Sequence, residues 1–223
     1  PKQGRVQLDP DTAMNSASLE AARRAAGAVC AAVDAVMAGE TKNAFCAVRP
    51  PGHHAEPERS MGFCIFSSVA IAGRHAMSAH GLKRVAVVDF DVHHGNGTQA
   101  AFWNDTDLFF GSTHQMPLYP GTGAVSEIGV GNIHNFPLPP GAAGKAFRDA
   151  MGDGLLPALT AFKPELLLIS AGFDAHVDDP LAQLCFETED YAWVTEILMA
   201  VAADHCQGRL VSSLEGGYDL AAL

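Results

Sequence analysis

Four short stretches of the chain combine residue types that can do chemistry at close spacing: Arg49-Pro50-Pro51-Gly52-His53-His54, Asp89-Phe90-Asp91-Val92-His93-His94, Asp174-Ala175-His176 and Glu215-Gly216-Gly217-Tyr218. Asp89, Asp91 and His93 alternate, and at a strand end alternate residues share a face. Two carboxylates and an imidazole on one face are costly unless they bind a cation or one another. Asp174 would complete an Asp, His, Asp set with an open fourth position, the pattern of a catalytic rather than a structural zinc site. Such oxygen-rich ligation would also suit Fe(II). His53 and His54, held by a rigid Pro-Pro-Gly turn, suit a general acid–base pair beside a metal-bound water, with Asp89 and Asn96 as candidate partners for their other ring nitrogens. A phenol at Tyr218, after two glycines, could donate a hydrogen bond to a developing oxyanion.

Each of these residues alone has a plainer reading. Asp91 could be a turn or cap, His93 a satisfied core histidine, the His pair a surface loop, and Tyr218 a turn aromatic. His75, His80 and His205 read as solvated, Met14, Met37, Met77 and Met199 as packing residues. Glu187, Glu189 and Asp190 read as a solvated helix start whose charges complement the dipole. Phe63 and Tyr119 could be core, or could wall a narrow apolar tunnel.

The elements that must position these residues follow from the apolar pattern. Helices are expected over Ser16 to Ala38, Cys64 to Ala79, Gly97 to Trp103, Ala143 to Phe162 and Thr188 to Cys206. Strands are expected over Asn43 to Val48, Arg84 to Phe90, Asp107 to Ser112, Glu165 to Ser170 and Arg209 to Leu214. The continuous apolar runs among them suit burial on both faces. The Gly- and Pro-rich stretch from His114 to Pro140 is too long for a simple connection and reads as a functional loop. Strands alternating with helices predict right-handed crossovers, a mostly parallel sheet covered on both faces, and chemistry beyond the carboxyl ends of the strands. All four polar stretches follow predicted strands, so a doubly wound sheet would gather them on one rim.

Composition sets the outer limits. The 223 residues suffice for one domain with its own core. With 14 Lys+Arg against 25 Asp+Glu, the net charge of −11 argues against nucleic acid as a partner and would attract a basic substrate. No apolar run approaches the roughly 18 residues of a membrane span, so no membrane partner is expected. The five cysteines are odd in number, widely spaced and without a C-x-x-C, which reads as buried thiols in a reducing, cytoplasmic compartment. Pro1 to Pro10 is polar and unlike a signal peptide. A first residue that is Pro rather than Met suggests a piece of a longer reading frame or a processed product.

Taken together, RPPGHH (Arg49 to His54), GFC (Gly62 to Cys64), VVDFDVHHGNGT (Val87 to Thr98), YPGTG (Tyr119 to Gly123), SAGFDAH (Ser170 to His176), DDPL (Asp178 to Leu181) and EGGYDL (Glu215 to Leu220) resemble the zinc-dependent histone deacetylase family. That family includes bacterial deacetylase-like amidohydrolases and acetylpolyamine amidohydrolases. The resemblance implies an arginase/deacetylase-like three-layer αβα fold with a mostly parallel central sheet. It also implies a single deacetylase catalytic domain over residues 1–223, shorter than the family at both ends. It makes Asp91, His93 and Asp174 zinc ligands and places Asp89 behind His53. Asn96, where class I members have Asp, resembles class II. Tyr218 matches the transition-state tyrosine. Phe63 and Tyr119 match the aromatics that sandwich an acyl-lysine stem, with Gly62 and Leu181 beside them. Asp89, Asp91, His93, Ser112 and Thr113 match a monovalent K+ or Na+ site.

The implied reaction is metal-assisted hydrolysis of an acetyl amide to acetate and a free amine. Leu181 stands where polyamine-selective relatives carry an acidic residue. It therefore leans the substrate towards acetyl-lysine in a protein or peptide, with an acetylated polyamine as the alternative. The reading allows a homo-oligomer. An arginase-like ureohydrolase would need further bridging carboxylates where Phe90 and Val92 stand. A pseudoenzyme that only binds acyl-lysine would be expected to have lost a metal ligand or Tyr218.

Overall fold

Two runs of buried aliphatic residues set the architecture: Val85–Asp89 (β4) and Leu166–Ala171 (β7) are buried at every position. A computed structural model describes residues 4–223; Pro1 lies outside them. With Asn43–Cys46 (β3), Leu108–Gln115 (β5), Ile133–Leu138 (β6) and Leu210–Leu214 (β8), the two strands form a six-stranded sheet in the order β3-β8-β7-β4-β5-β6. Every neighbouring pair is parallel.

Alternate residues of β4 serve opposite faces, as the period of two requires. Val85 and Val87 join Val29, Val33, Val69, Ala72 and Ala76 under Ser18–Ala38 (α1) and Ser68–His80 (α2). Ala86 and Val88 join Phe147, Met151, Leu155, Val194 and Leu198 on the other side. That side is covered by Gly144–Ala150 (α4), Leu156–Phe162 (α5) and Thr188–His205 (α6). Asn96–Phe102 (α3) follows β4. This is the expected three-layer αβα arrangement. No helix among the described residues is long and apolar enough to cross a membrane, and all five cysteines are free thiols.

The structure departs from the sequence reading at five places. Val6–Asp9 (β1) and Thr12–Met14 (β2) form an antiparallel hairpin in a segment that reads as merely polar. The second helix begins at Ser68 rather than Cys64, because Gly62 and Phe63 adopt positive φ in a reverse turn closed by Cys64 N–H to Met61 O. The long loop after His114 contains β6, hidden by Pro137. An edge strand tolerates Pro because one of its sides needs no ladder donor. The expected helix over Ala143 to Phe162 is interrupted by a π-helical turn at Met151–Leu155. There Gly154 packs so tightly on Phe136 that a Cβ would come within 2.1 Å of its ring.

Finally, several side chains read as solvated are engaged. Asp190 is buried in a capping box with Glu187 and pairs with Arg148. His75 and His80 are half-buried against Asp34. Met199, read as packing, is exposed.

Candidate active site

The strands that end in the four polar stretches, β3, β8, β7 and β4, are consecutive neighbours in the sheet, so their carboxyl ends form one continuous rim. Asp89 closes β4, in register with Ser170 on one side and Ser112 on the other. The chain then leaves the extended conformation. Asp91 N–H donates to Asp89 Oδ1 at 3.1 Å and His93 N–H to Asp91 Oδ1 at 2.9 Å, two successive side-chain-closed turns. The expectation that Asp89, Asp91 and His93 share one strand face is therefore corrected. Asp89 meets His53, whereas Asp91 and His93 converge with Asp174.

One ligand atom from each of Asp91, His93 and Asp174 lies within 4.8 Å of the others. His93 Nδ1 is 3.2 Å from Asp91 Oδ1 and 3.1 Å from Asp174 Oδ2. Backbone donors fix both carboxylates: Gly216 N–H to Asp91 Oδ2 at 2.7 Å, and Val92 N–H to Asp174 Oδ1 at 3.0 Å. The approach is close enough to require glycine, since a Cβ on Gly216 would lie 2.1 Å from Asp174 Oδ2. Both carboxylates are 1% exposed. Burial and the neighbouring Asp91 push the Asp174 carboxyl up to about 7. Burial opposes charge on His93, yet its hydrogen bonds to Asp174 and Asp91 lift it to about 10. Two crowded, desolvated carboxylates that raise a neighbouring imidazole's pKa this far are a ready cation site. The donor set of two oxygens and one nitrogen, open on the cavity side through His93, fits a divalent metal with a free position. Phe90 and Val92 are buried apolar residues and bring no further carboxylate to it.

His53 and His54 enter from the turn after β3. Glu215 holds that turn: its Oε2 accepts Gly52 N–H at 2.6 Å and His53 N–H at 3.1 Å, and Ser170 donates to Oε1 at 3.2 Å. Arg49 anchors the Glu215 carbonyl. His53 Nδ1 lies 3.0 Å from Asp89 Oδ2, and His54 Nδ1 2.8 Å from Asn96 Oδ1. Burial disfavours charge on both rings, but Asp91 and Asp89 outweigh it at His53 and hold its pKa well above the ordinary value. For His54, burial and the charge of His53 act together and push its pKa well below. Two adjacent imidazoles are thus driven apart, one to carry a proton and one to accept it.

A cavity of about 110 Å³ ends on these groups. Its lining includes His53, His54, His93 and Tyr218 together with all four expected substrate residues, Gly62, Phe63, Tyr119 and Leu181. Tyr119 packs edge-on to His54 with ring centroids 5.2 Å apart, and Phe63 edge-on to Tyr218 at 6.3 Å. Phe63, Tyr119 and Leu181 remain 43%, 37% and 44% exposed, so they form a mouth rather than core. Burial pushes the Tyr218 phenol up, which keeps its proton in place. A larger cavity of about 560 Å³, between residues 55–60 and α2, brings together no comparable set of ligand and acid–base groups.

Ser112 and Thr113 lie on β5 next to Asp89. The Ser112 hydroxyl bonds His114 Nδ1 at 2.9 Å, and the buried Thr113 hydroxyl has no partner. The segment that carries Tyr119 is pinned from behind by His94 Nδ1 to Thr122 Oγ1 at 2.7 Å and His114 Nε2 to Gly123 O at 3.0 Å.

Three supporting carboxylates escaped the sequence reading. Glu215 appears there only as part of a motif. Asp179 accepts Tyr218 N–H at 2.7 Å and Leu181 N–H at 3.1 Å, which holds both residues at the mouth. Asp11, at the tip of the β1–β2 hairpin, accepts Gly62 N–H at 3.1 Å, while Thr12 Oγ1 accepts Phe63 N–H at 3.0 Å. The local signal for each is only an acid in a polar turn, and each has at least one partner remote in sequence: Tyr218 for Asp179, Gly62 for Asp11, and Gly52 and His53 for Glu215.

Comparison with known proteins agrees with this geometry. A family model described as "Histone deacetylase domain" matches residues 2–223. "Histone deacetylase 14, chloroplastic" of Arabidopsis thaliana is 50% identical over 208 residues, covering 89% of this chain and 49% of that protein. "Histone deacetylase-like amidohydrolase" of Pseudomonas aeruginosa is 43% identical over 223 residues, covering 98% of this chain and 59% of that protein. The chain thus spans about half to three-fifths of the length of these relatives. Among solved structures, the HDA15 HD domain superposes with a TM-score of 0.93 at 39% identity, over 98% of this chain and 62% of that one. With the matched family model spanning nearly the whole chain and the metal-type triad, paired histidines and tyrosine gathered at one cavity, this chain belongs to the histone deacetylase domain family.

Proposed function

We propose that the chain is a zinc-dependent amidohydrolase that removes acetyl groups from the Nε of lysine in proteins or peptides. The observation that carries this reading is the meeting of Asp91, His93 and Asp174 with two oppositely tuned histidines and Tyr218 at the end of one narrow cavity. Asp91, His93 and Asp174 would hold the ion, for which Fe(II) is chemically acceptable as well. Zinc, when bound, supplies a Lewis acid that polarises the amide carbonyl and acidifies water.

The remaining work falls to the chain's own residues. His54, neutral and with its Nδ1 proton directed at Asn96, accepts a proton from the attacking water at Nε2. His53, charged and backed by Asp89, returns a proton to the leaving amine, so that an amide and water become acetate and a free amine. Tyr218 donates its phenolic proton in a hydrogen bond to the oxyanion. Phe63, Tyr119 and Gly62 wall the acyl-lysine stem. Asp89, Asp91, His93, Ser112 and Thr113 would enclose a structural K+ or Na+, a reading supported by the partnerless Thr113 hydroxyl.

Leu181 at the mouth offers no charge to a second amine, which favours a lysine in a polypeptide over an acetylated polyamine. A net charge of −11 favours basic surroundings for that lysine over nucleic acid. The five free thiols support a reducing, cytoplasmic setting. The test compares an acetyl-lysine peptide with N-acetylputrescine, using zinc-loaded protein and Asp174→Asn as control. Peptide turnover that disappears in the variant is the expected result. Preference for the putrescine derivative would move the assignment to a polyamine amidohydrolase, and a fully active variant would overturn the metal-dependent reading.

A further inference from the structure

Away from the cavity, α1 and α2 bring a second set of ligand-type atoms together. Asp34 Oδ1 accepts hydrogen bonds from His75 Nε2 at 2.6 Å and from His80 Nε2 at 2.7 Å. All three atoms lie within 4.8 Å of one another. The two rings are nearly perpendicular, at 85° with centroids 5.8 Å apart, so their nitrogens approach the oxygen from different directions. None of these residues belongs to the candidate active site.

We propose that Asp34, His75 and His80 form a second, peripheral site for a divalent transition-metal ion of the zinc class, which ties the ends of α1 and α2 together. Two imidazole nitrogens and one carboxylate oxygen suit Zn2+, Ni2+ or Cu2+ and are a poor match for Mg2+ or Ca2+, which take oxygen ligands. Tetrahedral zinc with bonds of about 2.0–2.1 Å sets its ligand atoms roughly 3.3 Å apart. The present nitrogen–oxygen contacts need to open by well under an ångström to admit it. Each ring meets Asp34 through Nε2, so its proton can reside on Nδ1 while Nε2 binds the ion. Side-chain exposures of 29% for His75, 25% for His80 and 52% for Asp34 leave room for water in the fourth position.

The location favours a cation for a separate reason. Asp34 lies in the last two turns of α1 and His75 and His80 in those of α2, where unpaired carbonyls give both helices a partial negative charge. The hydrogen bonds from His80 and His75 also hold the Asp34 carboxyl below its ordinary range, ready ionised for a metal.

Zinc stoichiometry after equilibrium dialysis at micromolar free Zn2+ tests the site. The expected uptake is about two ions per unmodified chain, about one for Asp174→Asn, about one for His75→Gln/His80→Gln, and almost none when all three changes are combined. In the Asp174→Asn protein, Zn2+ or Ni2+ should raise Tm by several degrees and Mg2+ should not. The two histidine changes should abolish that rise there, and in the otherwise unmodified protein they should leave acetyl-peptide hydrolysis unaltered. A protein whose zinc uptake is the same with and without both histidines overturns the proposal; an uptake of one ion that disappears with the histidines and persists in Asp174→Asn supports it and counts instead against metal at the first site. The result does not depend on whether the first site hydrolyses anything.

Discussion

Asn96 joins His54 to Glu56: its Oδ1 lies 2.8 Å from His54 Nδ1, and its Nδ2 donates to Glu56 Oε1 at 2.7 Å. A neutral amide here lets the imidazole keep a neutral partner while satisfying a carboxylate behind it. His53, one residue earlier, faces the carboxylate of Asp89 and is tuned the other way. The difference between the two histidines thus comes from Asp91 and Asp89 around His53, and from burial and the charge of His53 at His54, whose partner behind the ring is a neutral amide rather than a carboxylate.

Replacing Asn96 by Asp should raise the pKa of His54. A base must be unprotonated to act, so the acidic limb of the kcat/KM–pH profile should move to higher pH, by about one unit or more. The new carboxylate would also face Glu56, with an expected stability loss of about 1–3 kcal/mol. Adding Glu56→Gln should recover most of that loss in urea titrations while leaving the shifted limb in place.

Metal binding should stabilise the chain, because a cation relieves the repulsion between the buried Asp91 and Asp174 carboxylates. Zinc at about 100 to 1,000 times its Kd should add about 3–4 kcal/mol to the folding free energy. Calorimetry of chelator-treated and reloaded protein measures this. In Asp174→Asn the part of the gain that belongs to this site should vanish together with hydrolysis.

Gly216→Ala is expected to damage the site while sparing the fold. Its Cβ would lie 2.1 Å from Asp174 Oδ2 and 2.7 Å from Asp91 Oδ2, so at least one carboxylate must move. A displacement near 1 Å should lower kcat/KM by about a hundredfold, with a parallel loss of zinc affinity. Unchanged kinetics would show that the rim yields without cost.

The pair behind Tyr119 should make the fold acid-sensitive. Burial pushes His114 down to about 4, and burial with the nearby His114 pushes His94 down to about 3. The ordinary histidine value is near 6.5, so between pH 6.5 and 4 the unfolded chain binds more protons than the folded one. Stability contributed by these neutral rings is complete above pH 6.5 and is lost as pH falls through that window. For His114 the loss amounts to about 3 kcal/mol. His114→Gln should flatten the stability–pH curve over this window, as measured by denaturant midpoints at stepped pH.

The amino-acid sequence by itself determined the elements and the chemistry they carry. Apolar runs such as Val85 to Val88 and Leu166 to Ile169 mark strands buried on both faces, and the polar stretches directly after them mark the rim where Asp91, Asp174 and Tyr218 meet. These signals are local, because burial and backbone preference act over a few residues.

Tertiary structure decided which strands are neighbours, and the order β3-β8-β7-β4 is what makes four separate stretches into one site. It also decided the β6 edge behind Pro137, the hairpin that seats Asp11 against Gly62, the Glu215 brace under His53 and the meeting of Asp34 with two histidines read as solvated. Each depends on partners roughly 20 to 160 residues away. Pairing across such separations is selected by packing of the whole sheet, which no local pattern encodes.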